Sequence, residues 1–165
     1  MAPTTPTTSE FRLALGQFAT GVTVVTAERA PGQVHGMTAN AFTSVSLDPL
    51  LILICVSHNA QLLPLVKQQK RFGVNILKGN QRAISEYFAR TEESAEIEKQ
   101  LGIRYRWTRT GIPLLEDSLV HLACNVVDSH VAGDHTIFIA EVESVEVYEG
   151  EPLLYLRGNY RDVAR

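Results

Sequence analysis

The chain has 165 residues, 45% of them apolar and 20% charged, with a formal net charge of −3. That length suits one domain with a sizeable core. The mildly acidic balance supplies no bulk positive field for nucleic acid or an acidic membrane surface.

Residues 1–8 are rich in Pro and Thr and are expected to form a disordered tail, leaving 9–165 as a single domain. The N-terminus has neither a basic n-region nor an apolar h-region, and the longest apolar run, 50–56, is far too short to span a bilayer. The expectation is a soluble, cytoplasmic protein that binds neither membrane nor nucleic acid. Ser9 can cap a helix with Phe11, Ala14, Leu15 and Phe18 on one face. A β-branched strand over 22–27 and a turn at Ala30-Pro31-Gly32 predict a hairpin with the strand that opens at Val34.

That second strand, 34–48, is unusual. Its middle carries Gly36, Thr38, Ala39, Asn40, Ala41, Thr43 and Ser44 where a core strand would carry Val, Ile or Leu. Short side chains let a planar heterocycle approach backbone donors and acceptors; an ordinary solvated sheet face explains the composition equally well. After Asp48-Pro49, residues 50–56 are apolar at every position and read as a central strand buried on both faces. A short helix with Leu62, Leu63 and Val66 follows, with Pro64 tolerable in its first turn. A strand over 72–77 comes next, then a helix over 81–90 capped by Asn80, with Ala83, Ile84, Tyr87 and Phe88 as its apolar face. A weaker pattern over 91–111 holds a short helix at 93–101. Two long strands, 118–127 and 136–147, flank a turn at Gly133-Asp134, and 153–157 is expected to close the sheet. Many strands with inserted helices give a mainly β fold, as a closed barrel or a sandwich.

Cys55 and Cys124 read as reduced core thiols. No metal-ligand spacing links the cysteines and the five histidines, so no metal is expected. The run Arg104-Tyr105-Arg106-Trp107-Thr108-Arg109 reads as a solvated surface or an interface rather than a base-stacking patch. Dinucleotide, P-loop and nucleophile-elbow motifs are absent. Any enzymatic chemistry must therefore be carried by a cofactor that the protein positions.

Three blocks narrow the choice: H-G-M-T-A-N-A-F-T-S-V-S-L-D-P at 35–49, F-G-V-N-I-L at 72–77 and G-D-H-T-I-F-I-A-E-V at 133–142. Together they resemble the flavin reductase-like family, the small NAD(P)H:flavin oxidoreductase components of two-component monooxygenases, over residues 11–161. The resemblance implies a split β-barrel of the FMN-binding type, usually a homodimer. It also implies hydride transfer from NADH or NADPH to FMN or FAD, with reduced flavin supplied to a partner flavin-dependent monooxygenase. By the same resemblance Thr38, Ala39 and Asn40 line the isoalloxazine and Ser46 lies near the ribityl or phosphate end. Cys55, Val56, Ser57 and Asn59 continue the site, mostly through backbone groups. For Ser57 and Asn59 plain helix capping is the alternative. His135 is the candidate catalytic residue at the nicotinamide nucleotide, with Gly158, Asn159 and Tyr160 helping to cover that ring. Gln81 and Arg82 could reach the adenylate half of FAD, or simply solvate a helix. A flavin carrier or electron-transfer protein on the same barrel, without nicotinamide turnover, is the alternative function. An oxidase of pyridoxine-like substrates is a weaker one, since the basic phosphate cage it needs is missing from the sequence.

Overall fold

The computed structural model describes residues 5–164. Of the tail expected at 1–8, residues 1–4 lie outside the described residues, while Thr7 and Thr8 belong to the first helix. Helix α1 (Thr8–Leu15) starts one residue before the expected cap: Thr7 Oγ1 accepts from the Glu10 N–H at 3.2 Å and Glu10 Oε2 accepts from the Thr7 N–H at 2.7 Å. Strands β1 (Thr20–Gly21), β2 (Thr23–Ala30), β3 (Gln33–Ala39), β4 (Phe42–Leu47) and β5 (Leu50–Ser57) follow. Helix α2 (Leu62–Gln69), strand β6 (Arg71–Ile76), a single 3₁₀ turn at Gly79–Gln81, α3 (Arg82–Phe88) and α4 (Ala95–Gln100) come next. The chain ends with β7 (Tyr105–Trp107), β8 (Pro113–Leu115), β9 (Val120–Ala132), β10 (His135–Val147), β11 (Leu154–Leu156) and β12 (Asn159–Arg161).

Seven strands make one antiparallel sheet in the order β3-β2-β6-β9-β10-β5-β4. Its two edge strands, β3 and β4, are consecutive in the chain and separated only by Asn40 and Ala41. The expected single strand over 34–48 is therefore two strands, broken where the chain crosses from one sheet edge to the other. The sheet curls into a barrel that this crossing spans without a hydrogen-bonded ladder, which is a split barrel rather than a closed one. The β2–β3 hairpin forms as expected, from Thr23 opposite Ala39 to Ala30 opposite Gln33. Residues 153–157 do not close the sheet; β11 joins a separate three-stranded sheet with β1 and β12.

Burial on both faces occurs in β2 and β6 instead; in β2, Val24 and Val25 are both fully buried and serve different cores. Val25 packs in the barrel interior with Ile54, Phe72 and Phe138, and α2 inserts Leu62, Leu63 and Val66 there. Val24 packs outside the barrel with Leu77, Tyr87, Phe88 and Leu115. By contrast β5 alternates: Ile52, Ile54 and Val56 are buried while Leu51, Leu53 and Cys55 on the other face are half-exposed. It lies next to an edge, and no element of the same chain fully covers its second face. The same holds for α1, whose Phe11 and Leu15 are exposed, as is Phe18 just beyond it. In α3 the buried residues are Ser85, Tyr87 and Phe88, with Ala83 exposed, and Asn80 lies in the 3₁₀ turn instead of capping the helix. Arg104 and Arg106 in the basic run are ion-paired, to Glu116 and Asp117 and to Glu146.

A buried polar knot fixes β8 against the barrel. Thr26 Oγ1 donates to the Pro113 carbonyl at 2.6 Å, Asn75 Nδ2 donates to the Val24 carbonyl at 2.8 Å, and Asn75 Oδ1 accepts from the Leu115 N–H at 2.8 Å. Gly73 in β6 makes room for it, because a Cβ there would lie 2.5 Å from both Pro113 O and Thr26 Oγ1. Gly73→Ala is therefore expected to cost about 1–3 kcal/mol, a fall of roughly 2 to 12 °C in Tm for a chain of this size. Gly21→Ala, whose Cβ meets nothing within 4 Å, serves as the matched control in the same melting experiment.

Candidate active site

The crossing at Asn40-Ala41 leaves β3 and β4 each with one strand neighbour, so main-chain donors and acceptors along both edges have no ladder partner. Beside this gap lies an open cleft of about 170 Å³. Thr38, Ala39 and Asn40 form one wall, and Val22, Ser85, Ala89, Tyr155 and Tyr160 complete it. Its hydroxyls are already oriented. Thr38 Oγ1 donates to the Ser85 carbonyl at 2.7 Å, Thr23 Oγ1 donates to the Ala39 carbonyl at 2.7 Å, and Ser85 Oγ and Tyr160 OH are hydrogen-bonded at 2.8 Å. The Tyr155 and Tyr160 rings meet edge to face with centroids 5.4 Å apart, and the Arg82 guanidinium lies 5.2 Å from the Tyr160 centroid. Such a wall, flat and apolar with a polar rim, fits a planar aromatic heterocycle.

Past the crossing, the Cys55 N–H donates to the Ala41 carbonyl at 3.1 Å, which ties the end of β5 to the same gap. Ser57 pairs with His135 across β5 and β10, and the His58 N–H donates to the Asp134 carbonyl at 2.9 Å. The His135 imidazole is half-exposed, with Nδ1 2.7 Å from Asp134 Oδ1, and that contact holds the Asp134 carboxyl below the usual carboxylate range. Ser57 Oγ accepts from the Asn59 N–H at 3.3 Å, a turn that leads into α2; neither residue occupies the helix cap, which is Gln61. Burial pushes the Cys55 thiol up, which disfavours its thiolate.

The sequence-predicted residues are only partly brought together. Thr38, Ala39, Asn40 and Tyr160 share the cleft, and Cys55, Ser57 and His135 cluster at the adjoining strand ends. The Val56 side chain is fully buried in the barrel core, leaving only its main chain for a ligand. Ser46 lies six residues along β4 from Asn40, about 20 Å at strand rise, and bonds locally to the Asp48 N–H at 3.2 Å. Gly158 makes the β11–β12 turn at φ +76, and Asn159 Nδ2 donates back to the Arg157 carbonyl. Sequence reasoning missed Ser85, Ala89 and Tyr155. Ser85 had a signal, a small polar residue within the apolar stripe of a helix.

A charged cluster also escaped it. Glu93 pairs with His35 Nδ1 and with Arg29 Nη1 at 2.8 Å, Arg29 Nη2 donates to Gln61 Oε1 at 2.8 Å, and Gln61 Nε2 donates to the Thr91 carbonyl at 3.2 Å. Burial pulls the His35 imidazole below its ordinary value of 6.5, against the opposing pull of Glu93. His121, buried beside Arg106, is shifted the same way, also chiefly by burial. Burial disfavours the charged form of both rings, so they take up protons more readily once unfolded. Their contribution is thus present above pH 6.5 and lost as pH falls through the depressed folded values. Thermal melts should give a Tm that declines below pH 6.5, and His35→Gln should flatten that decline.

A second prediction concerns the strand that forms the cleft wall. Ala39 lines the cleft and also packs against the barrel core, so Ala39→Leu should weaken flavin binding in a fluorescence titration and lower Tm by a few degrees; loss of the far-UV spectrum together with binding would mark Ala39 as a packing position.

The family described as flavin reductase like domain matches residues 15–164. An NADH-dependent flavin reductase of Rhodococcus sp is 45% identical over 154 residues, covering 92% of this chain and 84% of the relative. The reductase component of a 4-hydroxyphenylacetate 3-monooxygenase of Thermus thermophilus is 39% identical over 153 residues, covering 92% and 93%. A solved NADH:FAD oxidoreductase of Streptomyces globisporus in complex with NAD and FAD fragments superposes with a TM-score of 0.85 at 34% identity, covering 94% of this chain and 92% of that one. With the split barrel, the unpaired edges and these matches in agreement, the chain belongs to the flavin reductase-like family.

Proposed function

We propose that the protein is an NADH-dependent flavin reductase that supplies reduced FMN or FAD to a partner monooxygenase. The observation that carries this reading is the pair of unladdered strand edges at Asn40-Ala41, beside a cleft of small and aromatic side chains. Relatives named as NADH-dependent flavin reductase and as a monooxygenase reductase component support it. Bound flavin supplies the chemistry, accepting a hydride from the nicotinamide nucleotide. The protein's task is to hold the two rings at contact distance, about 3–3.5 Å between reacting atoms. Thr38, Ala39 and Asn40 provide the wall and rim for the flavin ring. Ser57 and the turn into α2 extend the polar surface, with the main chain of Cys55 and Val56 and the Asn59 amide beside it. His135, oriented by Asp134, stands where the second ring's nucleotide would be held, and Tyr160 covers the cleft from the other side.

A cleft of about 170 Å³ is smaller than the pockets of roughly 300–1,000 Å³ that enclose most ligands. Large apolar side chains are meanwhile exposed: Leu47 at 86%, Phe18 at 78% and Val147 at 73%. Both features fit a homodimer in which a second copy covers these faces and completes the site. The two cysteines are unpaired thiols, which suits a reducing cytoplasm.

Anaerobic oxidation of NADH and NADPH in the presence of riboflavin, FMN and FAD tests the activity and ranks the substrates, while light scattering on the same preparation should give twice the chain mass. Binding of flavin without oxidation of either nucleotide would leave a carrier. His135→Ala should raise KM for the nucleotide or slow hydride transfer by about two- to twelvefold, with flavin affinity unchanged. Equal damage to both ligands together with a lower Tm would make His135 structural.

A further inference from the structure

Ser85 is fully buried on the helix that walls the cleft. Alanine would fill that place in α3 with no polar atom to satisfy, and a buried hydroxyl is costly unless it is hydrogen-bonded. Among the described residues its side chain has one partner, Tyr160 OH at 2.8 Å, 75 positions away in sequence. The Ser85 main chain is engaged separately: its carbonyl accepts from Thr38 Oγ1 at 2.7 Å and from the Ala89 N–H at 3.1 Å. One residue thus joins two walls of the cleft, β3 through its backbone and β12 through its hydroxyl.

Tyr160 needs such a hold. It lies in a three-residue strand that pairs only with β11, in the small sheet outside the barrel. A tyrosine ring turns about two side-chain torsions, and its hydroxyl is the atom furthest from the backbone, so a bond there fixes both at once. The other contacts on the ring are less directional. Tyr155 meets it edge to face, and the Arg82 guanidinium near it is shared with Glu86.

We propose that Ser85 is a positioning residue for the reductase reaction: its hydroxyl holds the Tyr160 ring in place at the cleft before the nicotinamide nucleotide arrives. This rests on the reading of the cleft as a flavin and nicotinamide site. A ring already ordered in the free protein loses no side-chain freedom when the nucleotide binds, which favours both affinity and the alignment of the reacting rings. The flavin wall does not depend on the same hydroxyl, because Thr38 bonds to a main-chain carbonyl that any residue at 85 retains.

Three constants test this in wild type, Ser85→Ala, Tyr160→Phe and the double variant: the FMN Kd by fluorescence quenching, the NAD⁺ Kd by calorimetric titration of the FMN-loaded protein, and KM for NADH. Each single variant should raise the NAD⁺ constant and KM about two- to twelvefold, the range for one neutral hydrogen bond, with the FMN constant within twofold of wild type. The double variant should be no worse than the weaker-binding single variant, since both substitutions remove the same bond. Equal loss of FMN and NAD⁺ binding together with a lower Tm would make Ser85 a packing residue and overturn the proposal. Additive losses in the double variant, or unchanged nucleotide constants, would overturn it as well. Wild-type protein that binds NAD⁺ without oxidising NADH would remove the reductase reading, while the NAD⁺ constants would still judge Ser85; wild-type protein that binds no NAD⁺ would end both.

Discussion

Asn40 and Ala41 are all that separates the two edges of the main sheet, and this two-residue crossing governs what the barrel can present. A strand continuing through it would have extended one edge; a longer loop would have let the edges drift apart. Two residues keep the ends of β3 and β4 within three peptide links of each other, and the Cys55 N–H to Ala41 carbonyl bond anchors the far side. The backbone groups left unpaired along the two edges are held at a fixed spacing by the covalent chain itself.

Close packing carries that fixed geometry outward to the helix. Gly36 in β3 lies under the Phe88 ring, so closely that a Cβ would come within 2.5 Å of it. Phe88 in turn packs with Tyr87, Val24 and Leu77 in the outer core. Helix α3 therefore sits directly on the strand that walls the cleft, with Thr38 bonded to its Ser85 carbonyl. The cleft is thus framed on this side by core elements.

The β2–β3 hairpin, the α2 core face and the long β9–β10 pair were legible because each is written in local periodicity and turn residues. The interior of β5 was half legible. An unbroken apolar run such as 50–56 records that both faces avoid water without recording which atoms cover them. Residues 34–48 read as one strand since nothing in Asn40-Ala41 forces a turn; the break comes from the curl of the sheet around a core assembled from distant segments. Thr38 to Asn40, which line the cleft, and His135 near the end of β5 were singled out through family wording. The His35–Glu93–Arg29 cluster was invisible, as its members are 6 and 58 positions from His35 and no local pattern joins them.

Asn75 has a consequence for how the chain reaches this structure. Its carboxamide is fully buried, and its partners at Val24 and Leu115 lie 51 and 40 positions away. A collapsed chain that has paired β6 with β2 but not yet seated β8 holds a carboxamide oxygen deprived of both water and its Leu115 partner, an expensive state. The hairpin from the N-terminal third and the segment from the middle of the chain must therefore arrive together for either to be stable. A single side chain thus acts as a checkpoint on assembly, penalising misregistered compact forms and making the last steps of folding cooperative across most of the sequence.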